Sequence, residues 1–193
     1  MKLQRLFMTI VCLMMNLGFV YSQEKTVNFI LQPDGIMLTN EGKDFQIINY
    51  EGESQEIIYN KLLMGVSSIF NDPKTVISKV ENQIISISGI QGVNWIVGGM
   101  LGTVRVDFHY VLEFHIKDNR VKVDSPYFTM LSFSSGGTQS DIGGWLVSHK
   151  IFTKDGQPNM KKENNYKFYN DVNESFSKLT STILNYTETE EDW

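Results

Sequence analysis

The alternation of apolar and polar residues is clearest between residues 103 and 117, where it predicts one long β-strand. Every second residue in this segment is apolar, namely Val104, Val106, Phe108, Tyr110, Leu112, Phe114 and Ile116. Mostly polar residues alternate with them, so we expect one buried face and one solvent-facing face. Strands usually have about five or six residues, so a strand of this length is expected to contain a bend or a bulge.

Shorter apolar runs predict the other strands of an antiparallel sheet. Pro33-Asp34-Gly35 separates two such runs, which is typical of a tight hairpin. A turn at Asp118-Asn119 is expected to return the chain antiparallel to the long strand. The predicted strands cover residues 28–38 as a hairpin, 44–50, 76–80, 84–90, 103–117 and 121–124, with 128–133 as an edge strand.

Two amphipathic helices complete the pattern. Ser54 is placed to cap the first helix, whose apolar residues follow at helical spacing until Asn71-Asp72-Pro73 ends it. The second helix is predicted over residues 166–186, with the apolar stripe Phe168, Val172, Phe176, Leu179 and Ile183. Two such helices can cover one face of one antiparallel sheet. We therefore predict an α+β fold, a two-layer sandwich with the helices on one face.

Three stretches of the sequence resemble a known family. They are GKDFQIINYEGESQEIIYNKLL, FNDPKTVISKVENQIISISG, and the long alternating strand followed by KDNRVKV. These stretches resemble the domain of unknown function with a TBP-like fold, a fold shared with the TATA-binding protein, that is found in exported proteins of Bacteroides-type bacteria. The resemblance covers residues 26–125, and the last helix fits it less specifically. It implies a TBP-like sheet with helices on one face, but no activity and no catalytic residue.

The sequence departs from the family pattern at residues 89–102 and 127–165. Any function that is particular to this chain is expected in these two stretches. Apart from them, nothing divides the chain, so residues 23–186 are predicted to form a single TBP-like domain. Residues 187–193 form an acidic tail after it.

The first 22 residues are predicted to be a secretory signal peptide. Lys2 and Arg5 precede an apolar run, and the small residue Ser22 precedes the expected cleavage before Gln23. The run has about 15 residues, fewer than the roughly 20 that span a membrane, so we expect no permanent membrane anchor. The mature protein is therefore expected in the periplasm or outside the cell.

Loss of the signal peptide changes both the cysteine count and the charge. The only cysteine, Cys12, leaves with it, so no disulfide and no thiol chemistry are expected. The remaining 15 basic and 22 acidic side chains give a net charge of −7 with His neutral. A nucleic acid would need a basic face, so we expect no nucleic-acid partner.

Two glycine-rich segments contain more apolar residues than loops usually do. Trp95, Ile96, Met100 and Leu101 lie in the first of them, residues 89–102, and Trp145 lies in the second, residues 134–146. One interpretation is an exposed patch that binds a partner or an apolar ligand. The other is that these side chains tuck under the sheet and extend the core, which is the commoner fate of apolar loop residues.

The polar residues predict no catalytic, metal or cofactor site. His109 and His115 share the polar face of the long strand with Asp107 and Glu113, where cross-strand ion pairs are expected rather than a compact set of metal ligands. Ser140, Asp141 and His149 could be combined into a hydrolase triad, but no nucleophile motif accompanies them.

These observations predict an exported cell-envelope protein that is not an enzyme. The first hypothesis is a module that binds another envelope protein through the apolar glycine-rich segments. The alternative is a carrier of a small apolar ligand, a lipid or a glycan, held on the open sheet face or in a pocket under those segments.

Overall fold

The computed structural model describes residues 24–97 and 102–186. The predicted signal peptide with its cleavage site at Ser22 and Gln23, the candidate residues Met100 and Leu101, and the acidic tail lie outside the described residues. Within them, no helix is both long and apolar enough to cross a membrane.

The described residues form nine strands and four helices. The strands are β1 (Phe29–Leu31), β2 (Met37–Thr39), β3 (Phe45–Asn49), β4 (Ile77–Val80), β5 (Ile84–Ile96), β6 (Thr103–Lys117), β7 (Arg120–Asp124), β8 (Tyr127–Phe133) and β9 (Thr138–Gln139). The helices are α1 (Gln55–Ile69), α2 (Pro73–Val76), α3 (Ile142–Ser148) and α4 (Glu163–Leu184).

The long strand β6 organises the main sheet, which is antiparallel. Its order is β3-β7-β6-β5-β4, and β1 and β2 form a separate hairpin. β5 lies along one side of β6, while β7 and β8 share the other side, β7 beside residues 114–117 and β8 beside residues 106–111. The register with β8 shifts between His109 and Tyr110, so the predicted irregularity in this strand is confirmed.

Both long helices pack on one face of this sheet. α1 begins at the Ser54 cap, whose hydroxyl accepts a hydrogen bond from the N–H of Ile57. At Gly65, an added Cβ would lie 2.6 Å from the carbonyl oxygen of Ile183, so α1 and α4 cross in close contact. One hydrophobic core joins the two layers and extends from Val27 to Leu184. The predicted α+β two-layer fold is confirmed.

The N-terminal segment docks on α4 through a ladder of polar side chains. Four alternate backbone N–H groups, from Lys25 to Leu31, donate to side-chain oxygens that recur every fourth residue along the helix. The acceptors are Asn185, Ser181, Ser177 and Asn173. Side chains four apart lie on one helix face, so they present acceptors to a strand as a neighbouring strand would.

Two segments that were predicted to be loops are regular structure. β5 continues through Gly89 and Gly92 to Ile96. Glycine suits these two strand positions because the side chains of Tyr110 and Arg105 fill the space where a Cβ would lie. Residues 142–148, with Gly143-Gly144, form α3, because the Asp141 carboxylate caps the helix by accepting from the N–H of Gly144. The last helix also begins three residues earlier than predicted, at Glu163.

Candidate functional site

Trp95 and Trp145 lie in the core. Their side chains are 8% and 7% exposed, and the two indole rings meet edge to face with centroids 5.3 Å apart. Trp145 also stacks on His149, at 4.6 Å between centroids. The interpretation of these two residues as an exposed patch is therefore corrected, because each indole fills space between the sheet and the helices. Ile96, by contrast, is 41% exposed at the end of β5.

Asn165 explains how the Trp95 indole is held there. The indole N–H donates to the side-chain oxygen of Asn165 at 3.1 Å, and that amide is itself buried at the start of α4. The amide nitrogen donates to the carbonyl oxygens of His149 and Lys150. A buried indole N–H usually requires such a partner, but nothing in the spacing of the sequence pairs residues 95 and 165.

The Ser140, Asp141 and His149 set has local structural roles. Asp141 caps α3, and Nδ1 of His149 lies 2.9 Å from the carbonyl oxygen of Trp145 at the end of the same helix. Nδ1 also lies 3.1 Å from the hydroxyl of Ser148. The contacts of Asp141 and His149 are therefore at opposite ends of a seven-residue helix, and they do not form the relay that a triad requires.

The sheet face opposite the helices carries most of the exposed large apolar side chains. Five of the nine in the described chain lie there, although they come from four different strands. They are Ile47 on β3, Val80 on β4, Ile90 and Ile96 on β5, and Tyr127 on β8, which are 41–65% exposed. We call this surface, formed by β3–β8, the open face.

An ion-pair network crosses the open face near its β7 side. Nε2 of His115 and Nζ of Lys122 each lie 2.8 Å from an oxygen of Asp124, and His115 lies 3.6 Å from the carboxylate of Glu113. Glu113, His115 and Asp124 could each offer one ligand atom to a metal within 4.8 Å of the others. One oxygen of Asp124 contacts Lys122, and the other contacts His115 across the two strands. The predicted cross-strand pairing therefore describes this cluster better than a metal site does.

Basic side chains gather next to that network. Lys117 and Arg120 face each other across β6 and β7, beside the facing pair His115 and Lys122. Together with Ile47 they line an open pocket of about 350 Å³. Elsewhere on the face Arg105 pairs with Asp107 at 2.6 Å, so charges of both signs alternate and no broad basic surface for a polyanion is formed.

Comparisons with known proteins agree with this architecture. No family model matches the chain, and no curated protein matches it. A TBP-like protein from Parabacteroides distasonis ATCC 8503 is similar, with 11% identity and a TM-score of 0.46 over 74% of this chain and 92% of that one. A DUF4468 family protein from Bacteroides ovatus ATCC 8483 is similar at 13% identity, with a TM-score of 0.51 over 76% of this chain and 87% of that one.

At such low identity these likenesses concern the fold alone. The likeness to the Bacteroides ovatus protein supports the α+β fold expected from the sequence. The comparisons assign no activity to the open face.

Proposed function

We propose that this chain is an exported, non-enzymatic module of the cell envelope that binds another protein through its open face. The observation that carries the proposal is the gathering of Ile47, Val80, Ile90, Ile96 and Tyr127 on one side of the sheet. Exposed apolar side chains that a domain concentrates on one face mark a candidate interaction site.

The composition of the open face also favours a protein partner. Half-buried apolar side chains lie between the exposed ones, among them Ile84, Val111 and Met130. The ion pairs of Asp124 and Asp107 lie among them, because the cross-strand row from Ile47 to Val80 passes through Lys122 and His115. Protein–protein interfaces usually combine apolar and polar groups in this way.

The state of the ionisable groups supports a non-enzymatic role. In the described chain Asp124, the carboxylate nearest to a histidine, contacts both His115 and Lys122, and Asp141 caps a helix. An active site needs such groups to converge on a shared position in a cleft. The open face is a broad surface, and its carboxylates Asp107 and Asp124 are paired with basic side chains.

The alternative, a carrier of a small ligand, has a different observation in its favour. The pocket beside Ile47 combines an apolar side chain with the basic groups His115, Lys117, Arg120 and Lys122. This combination suits a small amphiphile with an anionic head, such as an anionic lipid. A pocket under the two tryptophans would have suited an apolar ligand, but the indoles pack against each other there.

A co-purification experiment separates these two functions. Tagged wild-type protein and the double variant Ile47→Ser, Tyr127→Ser are isolated from the envelope of the natural host, and bound proteins and small molecules are both quantified by mass spectrometry. The control is Ile57→Ser, Met160→Ser, which changes residues 48% and 72% exposed away from the open face. We expect one protein partner to be retained by wild type and control and lost by the open-face variant.

Equal retention by all three proteins would refute the open face as the binding surface. A retained small anionic amphiphile, with no protein, would favour the carrier. The same preparation tests export, because N-terminal sequencing is expected to begin at Gln23.

A further inference from the structure

We infer that two copies of this chain pair through the free edge of β5, antiparallel and about a two-fold axis at Gly92. The pairing groups are backbone N–H and C=O groups at the sheet edge, although the side chains of Ile90 and Ile96 also belong to the open face. Self-association of the purified chain and binding of another protein are measured separately, so either can fail without the other.

The backbone pattern shows which groups are free. β4 pairs with Ile84–Ile87 only, so residues 88–96 of β5 have a neighbour on the β6 side and none on the other side among the described residues. The N–H of Ile116 donates to the carbonyl of Gln83, and that of Val97 to the carbonyl of Gly102. Odd-numbered residues of β5 therefore bond to β6, and even-numbered ones direct their N–H and C=O outward.

The outward-facing residues are Ser88, Ile90, Gly92, Asn94 and Ile96. In the described chain, no further hydrogen bond reaches their backbone groups. Unpaired backbone groups along a strand edge are a template for another strand. The opposite end of the sheet differs, because the N-terminal segment lies beside β3, where the Gln46 side chain donates to the carbonyl of Thr26.

The β5 edge also lacks the features that keep sheet edges apart. Between Ile84 and Ile96 there is no charged residue and no proline. Soluble proteins usually protect a long edge with lysine, proline or a bulge. Ile90, the most exposed apolar side chain of β5 at 57%, lies in the middle of the unprotected stretch.

A second copy of this chain can pair with this edge symmetrically. The free stretch is centred on Gly92, so a two-fold axis there pairs Ser88 with Ile96 of the second copy, Ile90 with Asn94, and Gly92 with Gly92. All five outward residues of each copy then find a hydrogen-bonding partner. The chain is acidic, with a net charge of −5, so two copies repel each other over most surfaces. Because β5 contains no charged residue, two copies can meet at this edge without bringing carboxylates together.

Two features lie beside the free stretch. At the Ser88 end, Phe70, Val76 and Ile90 border an open pocket of about 460 Å³, just beyond the start of β4. At the centre, Arg105 lies over Gly92 and is already neutralised by Asp107.

Sedimentation and light scattering test the pairing on the protein exported by its own host. We expect a dimer at micromolar concentration, and a monomer for Ile90→Lys, because lysine is a typical edge protector. Ile47→Lys is the matched control, since it places the same charge on the open face away from β5 and is expected to remain dimeric. A monomeric wild type, or a dimer that Ile90→Lys leaves intact, would overturn the inference.

A cross-linking experiment tests the register without depending on the stability of one variant. Ile90→Cys, Asn94→Cys should give an intermolecular disulfide, because paired Cα atoms lie about 5.5 Å apart. Ile90→Cys alone should not, because two copies of residue 90 lie about 13 Å apart, at four residues of strand. The wild-type protein is the control for any cross-linking through Cys12, the only natural cysteine. Cross-linking of the single variant as strongly as the double one would exclude this register.

Discussion

The indole N–H of Trp95 donates a hydrogen bond to the side-chain oxygen of Asn165, 3.1 Å away and 70 residues along the chain. The same amide bonds to the carbonyls of His149 and Lys150. One buried side chain thereby joins β5, the end of α3 and the start of α4. This contact anchors the first glycine-rich segment to the core, so a tryptophan that looks like a binding residue in the sequence stabilises the fold instead.

The first prediction concerns that amide. Asn165→Ala is expected to lower the free energy of unfolding by about 2–3 kcal/mol, because a buried N–H left without an acceptor costs about 1–3 kcal/mol. Asn164→Ala, at the neighbouring exposed position, is the control and is expected to change it by less than about 0.5 kcal/mol. Urea unfolding followed by tryptophan fluorescence measures both, and equal midpoints would contradict this role of Asn165.

The second prediction concerns the docking of the N-terminal segment. The hydroxyl of Ser177 accepts from the N–H of Phe29 at 2.9 Å, where Phe29 is 1% exposed. Ser177→Ala should destabilise the protein by about 1–3 kcal/mol, since it leaves this backbone N–H without its acceptor. Ser175→Ala removes only a bond to its own helix, to the carbonyl of Val172, and is expected to have the smaller effect in the same assay.

The third prediction runs against helix propensity. Alanine normally favours a helix over glycine by about 1 kcal/mol. At Gly65, however, the new methyl group would lie 2.6 Å from the carbonyl oxygen of Ile183 on α4. Gly65→Ala is therefore expected to lower the melting temperature, at a cost of about 1–3 kcal/mol for overpacking. A raised melting temperature would show that the two helices do not approach so closely.

The fourth prediction concerns alkaline pH. Burial raises the pKa of Tyr110 to about 12, and burial together with Glu53 raises the pKa of Tyr50 further. An unfolded tyrosine ionises near pH 10, so above about pH 10 the unfolded chain releases protons that the folded chain keeps. The stability is thus complete below that pH and falls as the pH rises towards the folded values.

Tyr110→Phe should reduce this fall by about 1.3 kcal/mol in total between pH 9 and pH 11, most of it above pH 10. Unfolding free energies measured at several values between about pH 9 and pH 11 give the two slopes. Parallel slopes for the variant and the wild type would contradict the buried, neutral state of Tyr110.

The elements with strong periodicity could be predicted from the sequence. β6 has the predicted bounds, since its alternation is uninterrupted over residues 103–117, and the Ser54 cap and Asn71-Asp72-Pro73 correctly delimit α1. Glycine misled the prediction twice. In β5, Gly89 and Gly92 make room for side chains of β6, and in α3, Asp141 compensates for Gly143-Gly144. Neither compensation is visible without the neighbour that provides it.

The candidate surface was harder to predict than the fold. Exposed Ile47, Val80 and Tyr127 are widely separated in the sequence and share one face only through the strand order and register. Trp95 and Trp145 were the more conspicuous residues, but their large apolar rings are buried by α4. Of the predicted loop residues, Ile96 is exposed on the open face.

Site-specific photo-crosslinking in the natural host tests the central claim, binding of a protein at the open face, most directly. A photoreactive amino acid replaces Ile47 or Tyr127 on the open face, or Ile57 or Met160 away from it. Adducts are then identified by mass spectrometry. We predict that the two open-face positions capture the same protein and that the two control positions do not. Adducts at all four positions, or at none, would contradict the assignment of the open face as the binding surface.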